Sequence, residues 1–264
     1  MAEWIESRKI PVWEDMTDQE ISNSLVKKGR EHMRSSPRVT TFTGIEEYDA
    51  LLNDLDRYPH AFVIACVMDR QIKAELAWAI PYKLRERIGD FEFTTLYGLS
   101  KKQAAKHLNS PSPLHRYPDI MSDCLYSAIQ VIGDKYDGDA SQIWSDEPSS
   151  ADVIYRLLQI HGVGPKIATM TTNILARNFK IKLKDYYSID ISADVHVKRV
   201  FHRLGLTGKS PSTDEVIYRA RALYPQFPGL LDFPCWEVGR RWCRPKNTLC
   251  SECYLESVCP SRKN

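Results

Sequence analysis

Long apolar runs are missing from this chain. Its 264 residues contain no stretch approaching the roughly 20 apolar residues that a membrane-spanning helix needs, so no membrane partner is expected. The N-terminus, Met1, Ala2, Glu3, Trp4, carries an acidic residue early and shows no signal-peptide pattern. A cytosolic or nucleoid-associated location is the expectation. Charge of one sign is also scarce. The net charge is +2, short of the basic bias of a dedicated nonspecific nucleic-acid binder. Any nucleic-acid argument has to come from local sites. Strand signals are thin, confined to Val39–Phe42 and to Lys180–Ile191, KIKLKDYYSIDI. The second alternates enough for a short hairpin or an extended loop. No repeat of about 20 to 50 residues recurs, which argues against a solenoid.

What is present is ordinary in bulk, with hydrophobic residues at 43% and charged residues at 27%. Such a chain can bury the core of one large domain or two modest ones. Helical periodicity dominates. Amphipathic segments are predicted over Ile21–Met33, Ile45–Leu55, Ala61–Val67, Gln71–Ile80, Tyr82–Ile88, Lys101–Leu108 and Ile120–Tyr136. Further ones cover Ala151–Ile160, Lys166–Arg177, Val195–Leu204 and Thr213–Leu223. Pro81 should break the chain between the fourth and fifth. The loop Asn109–Pro118, rich in proline and serine, should separate two helices and be exposed. The fold class read from the residues is all-α.

Four of the seven cysteines crowd the C-terminus: Cys243, Cys250, Cys253 and Cys259, spaced C-x6-C-x2-C-x5-C. A stretch that short cannot build a core of its own. Four thiolates converging on one metal centre supply what apolar burial cannot. In a reducing compartment such clustering reads as metal ligation rather than disulfide bonding. Zinc in a tetrahedral site and an iron–sulfur cluster both suit four cysteines. The scattered Cys66, Cys124 and Cys235 read as buried free thiols. Arg240, Arg241, Arg244, Lys246, Arg262 and Lys263 bracket the cluster and form the chain's local basic site.

The most informative internal segment is Ser149–Arg177. Ser149 and Asp152 form a capping-box pair, and Val153, Ile154, Leu157 and Leu158 make one apolar face. The turn His161, Gly162, Val163, Gly164 follows, with Pro165 at the first position of the next helix. Ile167, Met170, Ile174 and Leu175 mark that helix's buried face. A glycine turn opening into a helix points free N–H groups and the positive dipole end at one place, which is a phosphate-binding device. A tight turn between packed helices has the same pattern. Lys166 sits near that positive end, an unfavourable place for a cation. Partial burial there would add to the effect and enlarge its neutral, nucleophilic fraction. A plain phosphate contact accounts for the residue too. Further along, Asp194 precedes Val195 and His196. It is well placed as the N-cap of the next helix and, equally, as a rigidly held carboxylate for stabilising charge or moving a proton.

The run IHGVGPKIA followed by SADVH resembles the helix-hairpin-helix, Gly/Pro-rich loop and aspartate of the HhH-GPD superfamily of base-excision DNA glycosylases. The C-terminal cysteine spacing, with VGRRWC leading into it, resembles the [4Fe–4S] loop of the endonuclease III-like branch. Upstream, PHAFVIACVMDRQ is similar to an early helix of that branch that ends in a glutamine filling the gap left by a flipped base. These matches follow one another in order over most of the chain.

The resemblance implies two helical domains with a DNA-binding cleft between them. A six-helix barrel with the hairpin would cover 59–178. A discontinuous domain of 1–58 plus 179–264 would carry a [4Fe–4S] cluster on the 243–259 loop. It implies Lys166 as nucleophile and Asp194 as the catalytic aspartate. Gln71, Gly162, Val163, Gly164, Arg116, Arg244 and Lys246 would meet DNA, and Cys243, Cys250, Cys253 and Cys259 would ligate the cluster. The activity implied is excision of a damaged or mismatched base from double-stranded DNA by a monomer, with AP lyase cleavage through a lysine Schiff base. Two alternatives remain: a monofunctional glycosylase using water activated by Asp194, and a noncatalytic DNA-binding iron–sulfur protein. The chain departs from the family pattern in its extra N-terminal residues and in the added 180–191 segment, where Tyr186 and Tyr187 can stack on a base or on protein. It departs again in the enlarged 109–118 loop, where Leu114, His115, Arg116 and Tyr117 are candidates for a DNA-inserting wedge. The base removed is not fixed by these motifs.

Overall fold

The computed structural model describes residues 16–35 and 40–262. The N-terminal Met1–Trp4 stretch and the residues that follow it to 15, Val39 and Lys263 lie outside the described residues. Among the described residues the chain forms thirteen α-helices and no strand. They are α1 (Met16–Arg34), α2 (Glu46–Asn53), α3 (Pro59–Met68), α4 (Ala74–Trp78), α5 (Ile80–Ile88), α6 (Phe93–Tyr97) and α7 (Lys101–Asn109). Then come α8 (Pro118–Tyr136), α9 (Ser150–Leu158), α10 (Pro165–Arg177), α11 (Val195–Arg203), α12 (Thr213–Leu223) and α13 (Asp232–Arg241). None is long and apolar enough to cross a membrane.

The chain divides into two compact units, one spanning His32–Ser192 and the other combining residues up to Glu31 with those from Ala193 onward. These boundaries differ from the expected 59–178 and 1–58 plus 179–264. The reason is visible in the packing of the His32–Ser192 unit. Phe42 stacks on Trp78 at 4.5 Å between centroids, and Phe179 meets Phe62 edge-on at 5.1 Å. Residues before 59 and after 178 thus join one aromatic core.

That core is organised around α3, which packs against α2, α4, α5, α8 and α10. Pro59 begins α3, where a missing N–H is no loss. All ten residues of the helix are buried. The expected amphipathic stripe is therefore absent, since a helix apolar on every side belongs in a core. The same holds for most of α10, buried from Ile167 to Ala176 except at Met170. Thr169, Thr171 and Thr172 turn their hydroxyls onto the carbonyls of Pro165, Ile167 and Ala168, which satisfies polar groups that water cannot reach.

Three differences from the sequence reading have local causes. The helix expected from Gln71 begins only at Ala74, because residues 69–73 form a turn. The segment 180–191 is an extended loop without a hairpin ladder. Its anchors are Leu183, Ile189 and Ile191, all buried, and hydrogen bonds to the start of α9. Lys184 N donates to Pro148 O at 3.0 Å, Ser188 N to Ser150 Oγ at 3.2 Å, and Ser150 Oγ to Asp185. Helices α6 and α13 escaped the periodicity argument: α6 is short, and α13 carries Pro234 and Gly239. Gly239 is required there, since a Cβ would lie 2.8 Å from that of His196 on α11.

Candidate functional site

The α9–α10 hairpin is built as its caps dictate. Ser149 and Asp152 form the expected capping box at the start of α9. Val153 and Leu157 face the core, whereas Leu158 is exposed. In the turn, Gly162 has φ +86°, and its Cβ would lie 2.8 Å from Arg70 Nη1 and closer still to Cys124 Sγ. Only glycine meets both conditions. Gly164 caps α10 without any side-chain hydrogen bond, and nothing lies within 4 Å of the place where its Cβ would be. Among the described residues, the amides of Gly164, Lys166 and Ile167 find no acceptor in the chain. Three N–H groups and an open approach at a helix N-terminus form an arrangement that can bind an anion. Val163 itself is buried, so its side chain anchors the turn. Lys166 is exposed and its ammonium has no partner among the described residues. The condition of partial burial is therefore not met, and the dipole alone acts on it.

Two further loops adjoin the hairpin within this unit. Gln71 is exposed with φ +54°, in the turn after α3 rather than at the end of the helix as the resemblance implied. In the 109–118 loop, Ser110–Pro113 are exposed as expected, and Arg116 is exposed with its guanidinium 5.3 Å from the Tyr117 ring. Leu114 and Tyr117 are half-buried. His115 is only 3% exposed, which removes it as a wedge residue. Arg87 holds the loop from below, donating to the carbonyls of His107 and Ser112 at 2.7 and 2.8 Å. Tyr187 is exposed and Tyr186 half-buried. Their loop is anchored at the start of α9, whereas the hairpin follows the end of that helix.

Asp194 belongs to the other unit and is described there. It is the N-cap of α11: Oδ1 accepts from His196 N and Val197 N, both at 2.8 Å. Its second oxygen takes no hydrogen bond among the described residues. The same helix carries two arginines that the sequence reading passed over. Arg199 donates to the carbonyls of Cys243 and Gly239, each at 2.8 Å. Arg203 donates to Cys243 Sγ at 3.3 Å, Arg244 O at 2.7 Å and Pro245 O at 3.2 Å. Their spacing of four residues places both on one face of α11, a signal legible in the sequence once the helix is accepted.

Cys243, Cys250, Cys253 and Cys259 line one pocket, floored by Val200, Leu204, Val238 and Leu255. Among the described residues no set of His, Cys, Asp or Glu side chains is drawn into an ion-binding arrangement. The cysteines therefore share a pocket rather than a closed ligand geometry. Burial pushes the Cys253 and Cys259 thiols up, and the neighbouring cysteines push in the same direction. Four sulfurs so crowded ionise together only around a cation, so the donor set fits a thiolate-bound metal centre. Arg244 and Lys246 stand exposed in the first cysteine loop without side-chain partners among the described residues, while Arg240 lies 4.8 Å over Trp236. Cys66, Cys124 and Cys235 are buried free thiols, as expected.

No family model matches the chain. It is 33% identical over 109 residues to the endonuclease III of Thermotoga maritima, a match covering 41% of this chain and 46% of that protein. To the endonuclease III of Synechocystis sp. it is 30% identical over 145 residues, covering 52% and 54%. The chain thus spans about half the length of the curated relatives it matches. Among solved structures, a trapped endonuclease III–DNA covalent intermediate aligns with 92% of this chain and 96% of its own, with TM-score 0.59 at 18% identity. That likeness is one of fold. The chain is thus similar in sequence to endonuclease III over about half its length, and its fold is that of endonuclease III.

Proposed function

We propose that this protein is a DNA glycosylase of base excision repair that acts as a monomer on duplex DNA and also cleaves the strand as an AP lyase. The observation that carries the reading is the N-terminus of α10, where among the described residues the amides of Gly164, Lys166 and Ile167 have no acceptor and the Lys166 ammonium has no partner. The hairpin amides bind backbone phosphate while the target base leaves the stack, a step costing a few kcal/mol and least for a damaged or mispaired base. Gln71 fills the vacated space, and Arg116 steadies the backbone beside it. Lys166 Nζ, as the free amine, attacks the sugar C1′. The bond from C1′ to the base breaks, and its electron pair leaves with the base. Asp194 stabilises the positive charge developing on the sugar and shuttles protons. Nζ then gives up a proton, O4′ gains one and the C1′–O4′ bond opens, leaving a Schiff base between Nζ and C1′ that acidifies the C2′ hydrogen. Loss of that proton expels the 3′ phosphate and nicks the strand.

Borohydride reduction of the Schiff base tests the assignment. Wild-type protein should be trapped covalently on abasic-site DNA, and Lys166→Ala should lose trapping by roughly 10³-fold or more with duplex binding largely kept. Undiminished trapping by the variant would remove Lys166 as nucleophile. One observation favours the monofunctional alternative. Lys166 is exposed rather than half-buried, which suits a phosphate contact, with Asp194 activating water. Base release without any trapped complex would select it.

Cys243, Cys250, Cys253 and Cys259 are assigned as ligands of a [4Fe–4S] cluster. When bound, it supplies iron–sulfur bonds that tie down the arm, and no step of base excision passes through it. Visible absorbance and a brown colour in the purified protein distinguish it from zinc. Arg244 and Lys246 are assigned to phosphate. Replacing both with Ala should reduce the slope of log K against log salt by about 2, and an unaltered slope would take them out of the interface.

A further inference from the structure

His115 is a buried imidazole in the middle of a largely exposed loop, and both its nitrogens are engaged. Nδ1 accepts from Tyr117 N at 3.0 Å. That leaves the ring proton on Nε2, which donates to Arg70 O at 3.1 Å. Protonation of Nδ1 would set two donors face to face at Tyr117, so the neutral tautomer is the one that fits. Burial also pushes the imidazole pKa down, against smaller opposing contributions from the Arg70 and Met68 carbonyls, while the Arg70 charge lowers it further. An apolar side chain would fill the space as well. Only a group with a donor and an acceptor fixes the register of one loop on another.

What His115 grips is informative. Arg70 is the residue before Gln71, whose φ of +54° is unfavourable for a non-glycine residue and needs its surroundings to hold it. The Arg70 side chain continues the chain of contacts, since Nη1 lies 3.8 Å from Cys124 Sγ and beside Gly162. Through Arg70, then, one imidazole connects the 110–117 loop, the Gln71 turn and the hairpin.

We infer that His115 is a positioning residue: it locks the 110–117 loop onto the Arg70–Gln71 turn, so that Gln71, Arg116 and the hairpin meet duplex DNA as one preorganised surface. The DNA part of this inference rests on the glycosylase reading, whereas the coupling of the loops does not. The test separates them. Hydrogen exchange is measured on the full chain as wild type, His115→Ala and His115→Gln, the last keeping a donor for Arg70 O. The loss of a buried hydrogen bond should raise exchange over 70–73 and 114–117 roughly tenfold in His115→Ala. Exchange in α9 and α10 should stay unchanged, and His115→Gln should return the loops to within about threefold of wild type.

The same three proteins are then mixed with a duplex carrying 2-aminopurine beside a tetrahydrofuran abasic analogue. The fluorescence rise on unstacking should be largely lost in His115→Ala and recovered in His115→Gln, with undamaged-duplex affinity altered less than about twofold. Unchanged exchange over 70–73 in a well-folded His115→Ala protein overturns the coupling. Exchange rising alike in every helix of both variants overturns it too, since that outcome marks a general packing role. If His115→Ala does not fold, His115→Gln decides. Protection kept over both loops supports the coupling, and protection lost over both overturns it. Local exchange as expected, with no unstacking even by wild type, leaves the coupling standing and sinks the glycosylase reading.

Discussion

The Gly162 hairpin has a core behind it; the cysteine arm has almost none. Behind the hairpin stand α9 and α10, with Ile160, Val163, Ile167 and Ala168 buried. Its acceptor-free amides are presented by backbone geometry alone. From Cys243 to Cys259 the arm has only short 3-10 turns, Cys250–Glu252 and Glu256–Val258, and of its side chains Leu255 is the buried one. Arg199 and Arg203 hold its first loop by hydrogen bonds to backbone carbonyls and one sulfur. The hairpin is therefore preorganised by packing, and the arm is held by hydrogen bonds from two arginines. A site whose geometry is backbone keeps its shape with or without ligand, whereas a site made of four sulfurs depends for its shape on whatever the sulfurs bind.

The largest effect should follow loss of the proposed metal centre. A structural metal centre contributes on the order of 10 kcal/mol to the segment it organises. Chelation, or Cys253→Ser, should therefore open the arm to proteolysis between 244 and 258 and bleach the visible absorbance. The His32–Ser192 unit should keep its own proteolytic resistance. Cleavage in both units at similar rates would show that the hairpin depends on the arm and would break the contrast.

Gly162→Ala strikes the other side. The left-handed φ costs a β-carbon about 1–2 kcal/mol, and overlap with Cys124 and Arg70 adds about 1–3 kcal/mol. A destabilisation of roughly 2–5 kcal/mol is expected by denaturant titration, with any absorbance of the proposed metal centre untouched. Gly164→Ala is its control, since φ is −101° and the space is open. It should melt close to wild type yet bind duplex DNA more weakly, because the new methyl group stands where phosphate approaches. If Gly164→Ala binds normally, the hairpin is a turn and not a phosphate site.

These two glycines also show what a sequence can disclose. Local chemistry was legible: the capping box at Ser149, Pro165 at a helix start, Asp194 as an N-cap and the shared place of four cysteines all follow from rules acting over a few residues. What lay hidden depended on distant partners. Nothing near Gly162 in sequence announces that Arg70 and Cys124 crowd it. Nothing near His115 says that an exposed loop turns its imidazole inward to the carbonyl of Arg70. The burial of α3 on every side, and the entry of Phe42 and Phe179 into its core, likewise arise from tertiary packing. Periodicity reported that helices exist. It was silent on which of them lie at the centre.

Asp194 allows the structural and chemical parts of a single residue to be separated. Asp194→Ala removes the acceptor for His196 N and Val197 N and should cost about 1 kcal/mol through the lost cap. Asp194→Asn keeps a capping oxygen and should lose only a few tenths of that. Base excision should fall by a similar large factor in both, since each removes the charge. Activity that tracks stability, surviving in the Asn variant, would reduce Asp194 to a helix cap. Because Arg199 and Arg203 share α11, metal content in the two variants also reports whether loosening the helix start reaches the arm.

The smallest effect concerns the footing of α9. Arg156 binds both oxygens of Asp146 at 2.8 and 2.9 Å and also donates to Ile143 O. The paired guanidinium holds the Asp146 carboxyl at about 2, below its ordinary value. A carboxyl whose folded value is depressed adds stability above its unfolded value, and that stability is lost as the pH falls through the folded one. The Asp146 contribution should thus be complete above about pH 4 and gone near pH 2. The carboxylate is 59% exposed, so screening limits it to a few tenths of a kcal/mol. Asp146→Asn should therefore melt only slightly below wild type at pH 7, with the two curves merging by about pH 2. A loss of several kcal/mol at pH 7 would mean that ionic bonds, and not packing, hold the hairpin's helices, and the two sites would then differ less than their geometry implies.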